Sequence, residues 1–349
     1  MGICLKCGGC VASCPVDSIE VDDASPSLVG ECIDCGNCYA NCPQVVPDEE
    51  IRRRVFGEAD LASEVGPYSA AYSGRTDIPS VADVAQDGGI VSSLLLSLMD
   101  EGYIDGAIVV DRGPEWRPEP KIVTDADGVV ECAGTKYVQT DVLSLLKEAV
   151  EERSLGDVAV VGTPCQVKGL RALTTGDHEI EGLSSHVKLV VGLFCSESFI
   201  YGGLFEGKLG DDLGLELSSI SKMDIKGRLI VELEDGSREE LELGDLDEYV
   251  FPPCKLCSDF SAELADVSVG GVGSPEGYST VLVRTGEGRT SMEKAAEGGA
   301  FSLEDLAEVE PGLELVERLS SKKRSEAEET IESYRKGSEE TPPRARKNV

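Results

Sequence analysis

The sequence contains no run of eighteen apolar residues, so no segment is long and apolar enough to cross a bilayer as a helix. Histidine is nearly absent. His178 and His186 are the only two, and both read as structural or surface residues rather than as proton-transfer groups. Basic residues are scarce as well: 32 Lys and Arg against 66 Asp and Glu leave a net charge of −34. That balance excludes a nucleic-acid partner, whose phosphates require cations. The acidic excess is spread along the chain. A salt-rich cytoplasm, which screens charges within ~3 Å at 1 M ionic strength, is one account of it, and a generally acidic proteome is the other. The first cysteine falls at position 4, which leaves no room for a leader, so a cytoplasmic location is expected. Two nucleotide signatures are also missing. Residues 202–208 match G-x-x-x-x-G-K, but Leu209 stands where Ser or Thr would hold magnesium. Gly271 and Gly273 open a dinucleotide fingerprint that fails at Glu276, where the third glycine belongs.

Cysteine, by contrast, is plentiful. Thirteen thiols without a secretion signal point to metal ligands rather than disulfides. Cys4, Cys7, Cys10 and Cys14 follow C-x2-C-x2-C-x3-C-P, and Cys32, Cys35, Cys38 and Cys42 repeat it. This is the two-cluster ferredoxin arrangement, in which the fourth cysteine of each run ligates the other [4Fe–4S] cluster. The expected sets are therefore Cys4, Cys7, Cys10 with Cys42, and Cys32, Cys35, Cys38 with Cys14. Zinc also takes four thiolates, but two tandem runs with proline-closed gaps argue against it. The ferredoxin segment is expected over residues 1–48 and a linker over 49–66. Arg52, Arg53 and Arg54 in that linker read as a solvated face.

From residue 67 to 336 the pattern is that of a larger α/β domain, with a disordered tail over 337–349. Residues 158–161 (VAVV) form a short apolar run, the mark of a strand buried on both faces. Gly162, Thr163 and Pro164 stop it, and helical composition follows, so Cys165 falls at a strand-to-helix turn. In open α/β sheets that edge binds ligands. Cys195 ends a second apolar strand, and Cys254 and Cys257 form a C-x-x-C after two prolines. These four thiols suffice for one further metal centre. Gly88 and Gly89 precede a helix, residues 133–138 (AGTKYV) form a polar loop, and residues 269–277 form a Gly-rich loop. Residues 220–243 alternate around Asp235-Gly236, the signal of a β-hairpin outside the main sheet. Residues 280–285 read as the last strand.

The segments AQDGGIV (85–91), AGTKY (133–137), GTPCQVKGLR (162–171), CKLC (254–257) and ELADVSVGGVGSPEGYST (263–280) resemble the family of coenzyme F420 hydrogenase/dehydrogenase beta subunits. With its ferredoxin segment, the layout is most similar to the F420H2-oxidising input subunit of F420H2 dehydrogenase. The resemblance implies an α/β domain that binds FAD and a third [4Fe–4S] cluster and exchanges hydride with the deazaflavin coenzyme F420 as substrate. It implies Cys165, Cys195, Cys254 and Cys257 as ligands of that cluster, leaving Cys132 over. It implies flavin-facing residues at Gly88, Gly89 and Ile90, at Gly134, Thr135, Lys136 and Tyr137, and at Gly273, Ser274 and Ser279. No side-chain nucleophile is expected. Lys136 is the candidate for a positive charge beside the reduced flavin, in a cleft expected to be locally basic. The expected activity is F420H2 oxidation with electrons passed to a redox partner subunit or membrane-bound complex. A hydrogenase or formate dehydrogenase beta subunit working in reverse and a non-catalytic iron–sulfur relay are the rivals. The ferredoxin domain is expected to dock on the Cys254–Cys257 loop.

Overall fold

The computed structural model describes residues 3–22, 25–57, 63–175, 180 and 182–337. His178 and the tail beyond residue 337 lie outside them. The N-terminal lobe is built as two near copies of one turn. Lys6 and Asp34 occupy the same place in the two runs, at φ +50° and +54°. Gly8 and Gly36 follow at φ +85° and +77°, a conformation glycine adopts without steric cost. Each glycine starts a one-turn helix, Gly9–Ala12 or Asn37–Ala40. Strands β1 (Ile19–Val21) and β2 (Pro26–Leu28) pair antiparallel beside them.

The larger domain holds an eight-stranded sheet. Its strands are β3 (Ala70–Thr76), β4 (Gly106–Arg112), β5 (Pro118–Val123), β6 (Val158–Gly162) and β7 (Val187–Leu193), followed later by three more. A separate small sheet intervenes, of β8 (Ile220–Ile225), β9 (Arg228–Leu233) and β10 (Arg238–Glu242). The expected hairpin at Asp235-Gly236 is the β9–β10 turn, and β8 makes the unit three-stranded rather than two. The main sheet resumes with β11 (Val267–Gly270), β12 (Ser279–Val283) and β13 (Phe301–Asp305). The order is β13-β3-β12-β11-β7-β6-β4-β5. The strand expected over residues 280–285 is thus not the last. The charged β13 lies at the sheet edge, where a strand tolerates acidic side chains.

The four central strands β4, β6, β7 and β11 run parallel. All five residues of β6 are buried, each valine side chain contributing ~1.5–3 kcal/mol of burial. Ala159 and Val161 face one core with the helices Ile90–Asp100 and Gly286–Glu297. Val158 and Val160 face the other, with the helix Pro164–Thr175. Because β6 and β7 are parallel neighbours, the segments leaving them reach the same sheet edge.

The lobe has little core of its own, and Cys7 and Ala12 join the second core of the larger domain. The first part of the expected linker is a helix, Asp48–Phe56, opened by three acidic residues and carrying Arg53 and Arg54 in its last turn. That order suits the helix macrodipole. Its Ile51 is 1% exposed and belongs to the same core. The arginines are not all a solvated face. Arg52 pairs with Glu263, which also binds Arg324 at 2.9 Å. Arg54 pairs with Glu50 and donates to the Thr175 carbonyl at 3.0 Å. The buried Ile51, the Arg52–Glu263 pair and the Arg54 contact with the Thr175 carbonyl fasten this segment to the larger domain.

Candidate functional site

Thr163-Pro164-Cys165-Gln166 forms one half of a capping box at the end of β6. The Gln166 Oε1 accepts from the Thr163 backbone N–H at 2.8 Å, satisfying a donor at the helix start. Pro164, whose missing N–H costs nothing there, leads the helix. Cys165 is thereby held in the first turn, its Sγ 3.2 Å from Thr163 Oγ1. The T-x-x-Q pattern is the signal in the sequence that places it. Cys195 follows β7, and its N–H donates to the Phe260 carbonyl at 2.9 Å. Cys254 lies in the short turn Pro252–Leu256 and Cys257 directly after it. The Cys254 Sγ accepts from the Ser198 N–H at 3.4 Å.

These four thiols share one environment. Burial pushes Cys165 up to about 12, with further increments from Cys257 and Cys195. Burial likewise raises Cys254, which feels Cys195, Cys165 and Cys257. Lys323, on the helix Leu313–Gly337, lies beside them and donates to the Cys195 carbonyl. Burial lowers its proton affinity, but Cys257, Cys195 and Cys254 outweigh that and hold it above the ordinary lysine range. Sulfurs that oppose one another's ionisation in a dry site need a cationic centre to become thiolates together. Four cysteine thiols in one buried place are a donor set that fits a [4Fe–4S] cluster.

In the lobe, Cys42 lies with the first run. Burial raises Cys7, and Cys42, Cys10 and Cys165 add to it. Burial also pushes Cys10 up to about 11, with Cys4 and Cys42 contributing. Backbone N–H groups already point at sulfur: Lys6 at Cys4 (3.3 Å), Ser18 at Cys14 (3.3 Å) and Asp34 at Cys32 (3.4 Å). Cys14 is buried, Cys38 half-buried, and Cys32 and Cys35 are exposed. Cys132, the thiol left over, packs in the first core as a small apolar group.

The glycine and GTKY loops meet one another, though not all their residues face a common space. Gly88 donates to Ser279 Oγ at 3.0 Å and accepts from the Thr76 N–H at 2.7 Å, so both Gly88 and Ser279 knit the sheet edge. Gly89, at φ +70°, caps the helix Ile90–Asp100. The Ile90 side chain is 1% exposed and packs in the first core. Gly134 and Tyr137 bend the second loop, at φ +85° and +56°, with Thr135 half-buried between them. A Cβ at Gly134 would meet only Gln86 Oε1, 3.9 Å away. A Cβ at Gly271 would meet Asp87 Oδ2 at 2.6 Å, so all three loops converge at Gln86 and Asp87. Nothing in the composition around that dipeptide marks it as the meeting point. Gly273, at φ +101°, accepts from the Gly312 N–H at 2.9 Å, and Ser274 Oγ lies 2.8 Å from Thr280 Oγ1.

Lys136 is 8% exposed and directs its Nζ to the carbonyls of Cys132, Ala133 and Gly134, the last two at 3.0 and 2.8 Å. All three ammonium donors are used inside its own loop. Burial draws its pKa down to about 8. The surroundings are of mixed charge rather than basic: burial raises Asp87, which also feels Asp224, Lys226, Lys222 and Glu276. Lys226 bridges Asp224 and Glu276, both at 3.0 Å. The lobe, for its part, docks chiefly on residues 139–147 and the helix Pro164–Thr175. The Leu143 N–H donates to the Cys7 carbonyl at 2.9 Å, and Lys147 pairs with Asp17 at 2.6 Å. Towards the Cys254–Cys257 region, Lys6 lies over the Phe251 ring, and Leu5 lines a cavity with Cys165, Cys257 and Asp259.

Comparison with known proteins agrees with this layout. Residues 2–43 match the 4Fe-4S dicluster domain. Residues 71–147 and 155–309 match the N-terminal and C-terminal models of the coenzyme F420 hydrogenase/dehydrogenase beta subunit. The chain is 39% identical over 269 residues to the coenzyme F420 hydrogenase subunit beta of Methanothermobacter thermautotrophicus, covering 76% of this chain and 95% of that one. It is 30% identical to a subunit of the F420H2 dehydrogenase of Methanosarcina mazei, over 92% of this chain and 89% of the relative. A chain of the F420-reducing [NiFe] hydrogenase complex from Methanosarcina barkeri superposes with a TM-score of 0.77 at 33% identity, covering 81% and 99% of the two chains. No helix among the described residues is long and apolar enough to cross a membrane. With its two sheet-domain models matched in tandem behind a dicluster domain, the chain belongs to the family of coenzyme F420 hydrogenase/dehydrogenase beta subunits.

Proposed function

We propose that the protein oxidises reduced coenzyme F420 by hydride transfer to FAD and passes the electrons singly through three [4Fe–4S] centres to a redox partner. The observation that carries this reading is the shared environment of Cys165, Cys195, Cys254 and Cys257, with Cys165 also acting on Cys7 of the lobe. A flavin supplies the conversion between a two-electron hydride donor and one-electron acceptors. The chain's own work is binding and orientation. Gly134, Thr135, Tyr137 and the backbone at Gly89 present the loops, and Lys136 holds the second loop in shape from beneath. Cys4, Cys7, Cys10 and Cys42 hold one centre of the lobe, and Cys14, Cys32, Cys35 and Cys38 the other. The membership of an F420-linked family and the missing dinucleotide fingerprint both favour the deazaflavin over a nicotinamide.

Anaerobically purified protein should show flavin bands beside the iron–sulfur absorption, and F420H2 should bleach them far faster than NADH or NADPH. Comparable rates with a nicotinamide would overturn the substrate, and a spectrum without flavin would leave a plain relay. Lys323 offers a further check on the third centre. A buried cation beside a cluster favours its reduced, more negative state. Lys323→Met should therefore lower the midpoint potential of one centre on the order of 50 mV, about one tenfold step of a one-electron equilibrium. The two lobe centres should stay unchanged in a potentiometric EPR titration, and an unmoved third potential would separate Lys323 from it.

A further inference from the structure

One buried side chain touches both metal sites that face the domain boundary. Gln139 is 8% exposed. Its Nε2 donates to the carbonyl of Leu5, between Cys4 and Cys7, at 2.8 Å, and lies 3.5 Å from Cys165 Sγ. The segment that carries it is locked, because Gln166 Nε2 donates to the neighbouring Thr140 carbonyl at 2.7 Å. The helix Pro164–Thr175 makes the second contact. Cys165 and Gly169 are four residues apart, one above the other on one helix face. At Gly169 the lobe comes so close that a Cβ would lie 2.8 Å from Cys7 Sγ and 3.1 Å from Cys7 Cβ. Lys168, beside it, pairs with Asp48 and acts on Cys42.

We propose that Gln139 and Gly169 are positioning residues for electron passage between the domains, so that electrons leave the Cys165 centre for the Cys4/Cys7/Cys10/Cys42 centre and reach the other lobe centre only afterwards. This rests on the three-centre reading above. The step is a one-electron transfer that oxidises the centre held by Cys165 and reduces the one held by Cys7. No bond forms or breaks and no proton moves. Gln139 contributes in two ways. Its N–H group near Cys165 Sγ tunes that centre, as hydrogen bonds to ligand sulfur do. Its bond to Leu5 holds the first run against the helix. Gly169 keeps the gap at van der Waals contact, since any side chain there pushes Cys7 away.

The test uses the full reconstituted protein, with F420H2 as donor and freeze-quenched EPR as readout. Gln139→Leu keeps the volume and removes both amide contacts. Its iron content and its rate of flavin reduction should match the wild type. Reduction of the Cys4/Cys7/Cys10/Cys42 centre should slow by at least about tenfold, the size of effect that ligand-orienting partners have. The midpoint potential of the Cys165 centre should fall, and the spin–spin broadening between the two reduced centres should change. Gln139→Asn, too short to span both contacts, should behave in the same way and stands in if the leucine variant does not fold. Gly169→Ala should perturb the signal of the Cys7 centre and leave that of the Cys14/Cys32/Cys35/Cys38 centre alone. If the wild type shows only two reducible centres, the three-centre reading falls and takes the proposal with it. If it shows three, and the glutamine variants keep wild-type transfer, potential and broadening, the proposal alone is overturned.

Discussion

Cys165→Ala should lower the iron content by about four atoms from about twelve per chain, one [4Fe–4S] centre of three, and stop electron flow to the lobe. The loss should be confined to one centre because the residue sits at a junction that the rest of the fold builds without it. The helix start is closed by Thr163 and Gln166 alone, and alanine is a good helix former in the first turn. The sheet beneath is held by fully buried β6. Flavin content and flavin reduction by F420H2 should therefore persist, while one-electron acceptors that the lobe serves are no longer reduced. EPR of the reduced variant should keep the two lobe signals. Eight irons already in the wild type, or an unchanged iron content in the variant, would remove Cys165 from any cluster.

Gly88→Ala should be the most damaging small substitution in the glycine loop. A Cβ there would stand 2.3 Å from the Gly74 carbonyl oxygen and 2.5 Å from the Ser279 nitrogen. Those two residues are register partners across β3 and β12, so neither can retreat without opening the sheet. Overpacking of this kind costs roughly 1–3 kcal/mol, and more where backbone must move. The melting temperature should fall by several degrees and the flavin content with it, while the lobe keeps its iron. Gly134→Ala is the control: the space is open there, and the cost is the ~1–2 kcal/mol of a left-handed backbone alone. Equal melting temperatures for the two variants would sink the close-approach account.

The two cysteine runs and the strand before Cys165 were legible because their signals are local. A spacing of two and three residues, or four apolar residues followed by Gly-Thr-Pro, needs no knowledge of the rest of the chain. What was not legible depends on distant partners. Three successive arginines look solvated until Glu263, 211 residues from Arg52, is brought beside them. Lys323 reads as one charge among many on a long helix, and only folding sets it next to Cys195, 128 residues earlier. Lys136 was legible as a loop lysine, but the curvature at Gly134 and Tyr137 decides that its ammonium turns inward. β11 was hidden within a Gly-rich stretch, and β13 by its two acidic residues.

The clamp of Arg52, Glu263 and Arg324 also sets an order of events during synthesis. The lobe leaves the ribosome ahead of the larger domain, and the earlier of two units generally folds first. Yet the surfaces it leans on, from Gln139 to Gly169, emerge about a hundred residues later, and Arg324 about 150 residues after those. Until then the lobe has neither its platform nor its clasp, and Cys7, which packs within the joint core when folding is complete, stays open to solvent. Loading of the two lobe clusters can therefore precede docking, whereas the site of Cys165, Cys195, Cys254 and Cys257 gains Lys323 only when the last helix closes over it. A chain stopped before residue 313 keeps all thirteen thiols and lacks both basic residues of that helix that hold the two halves and the third site together.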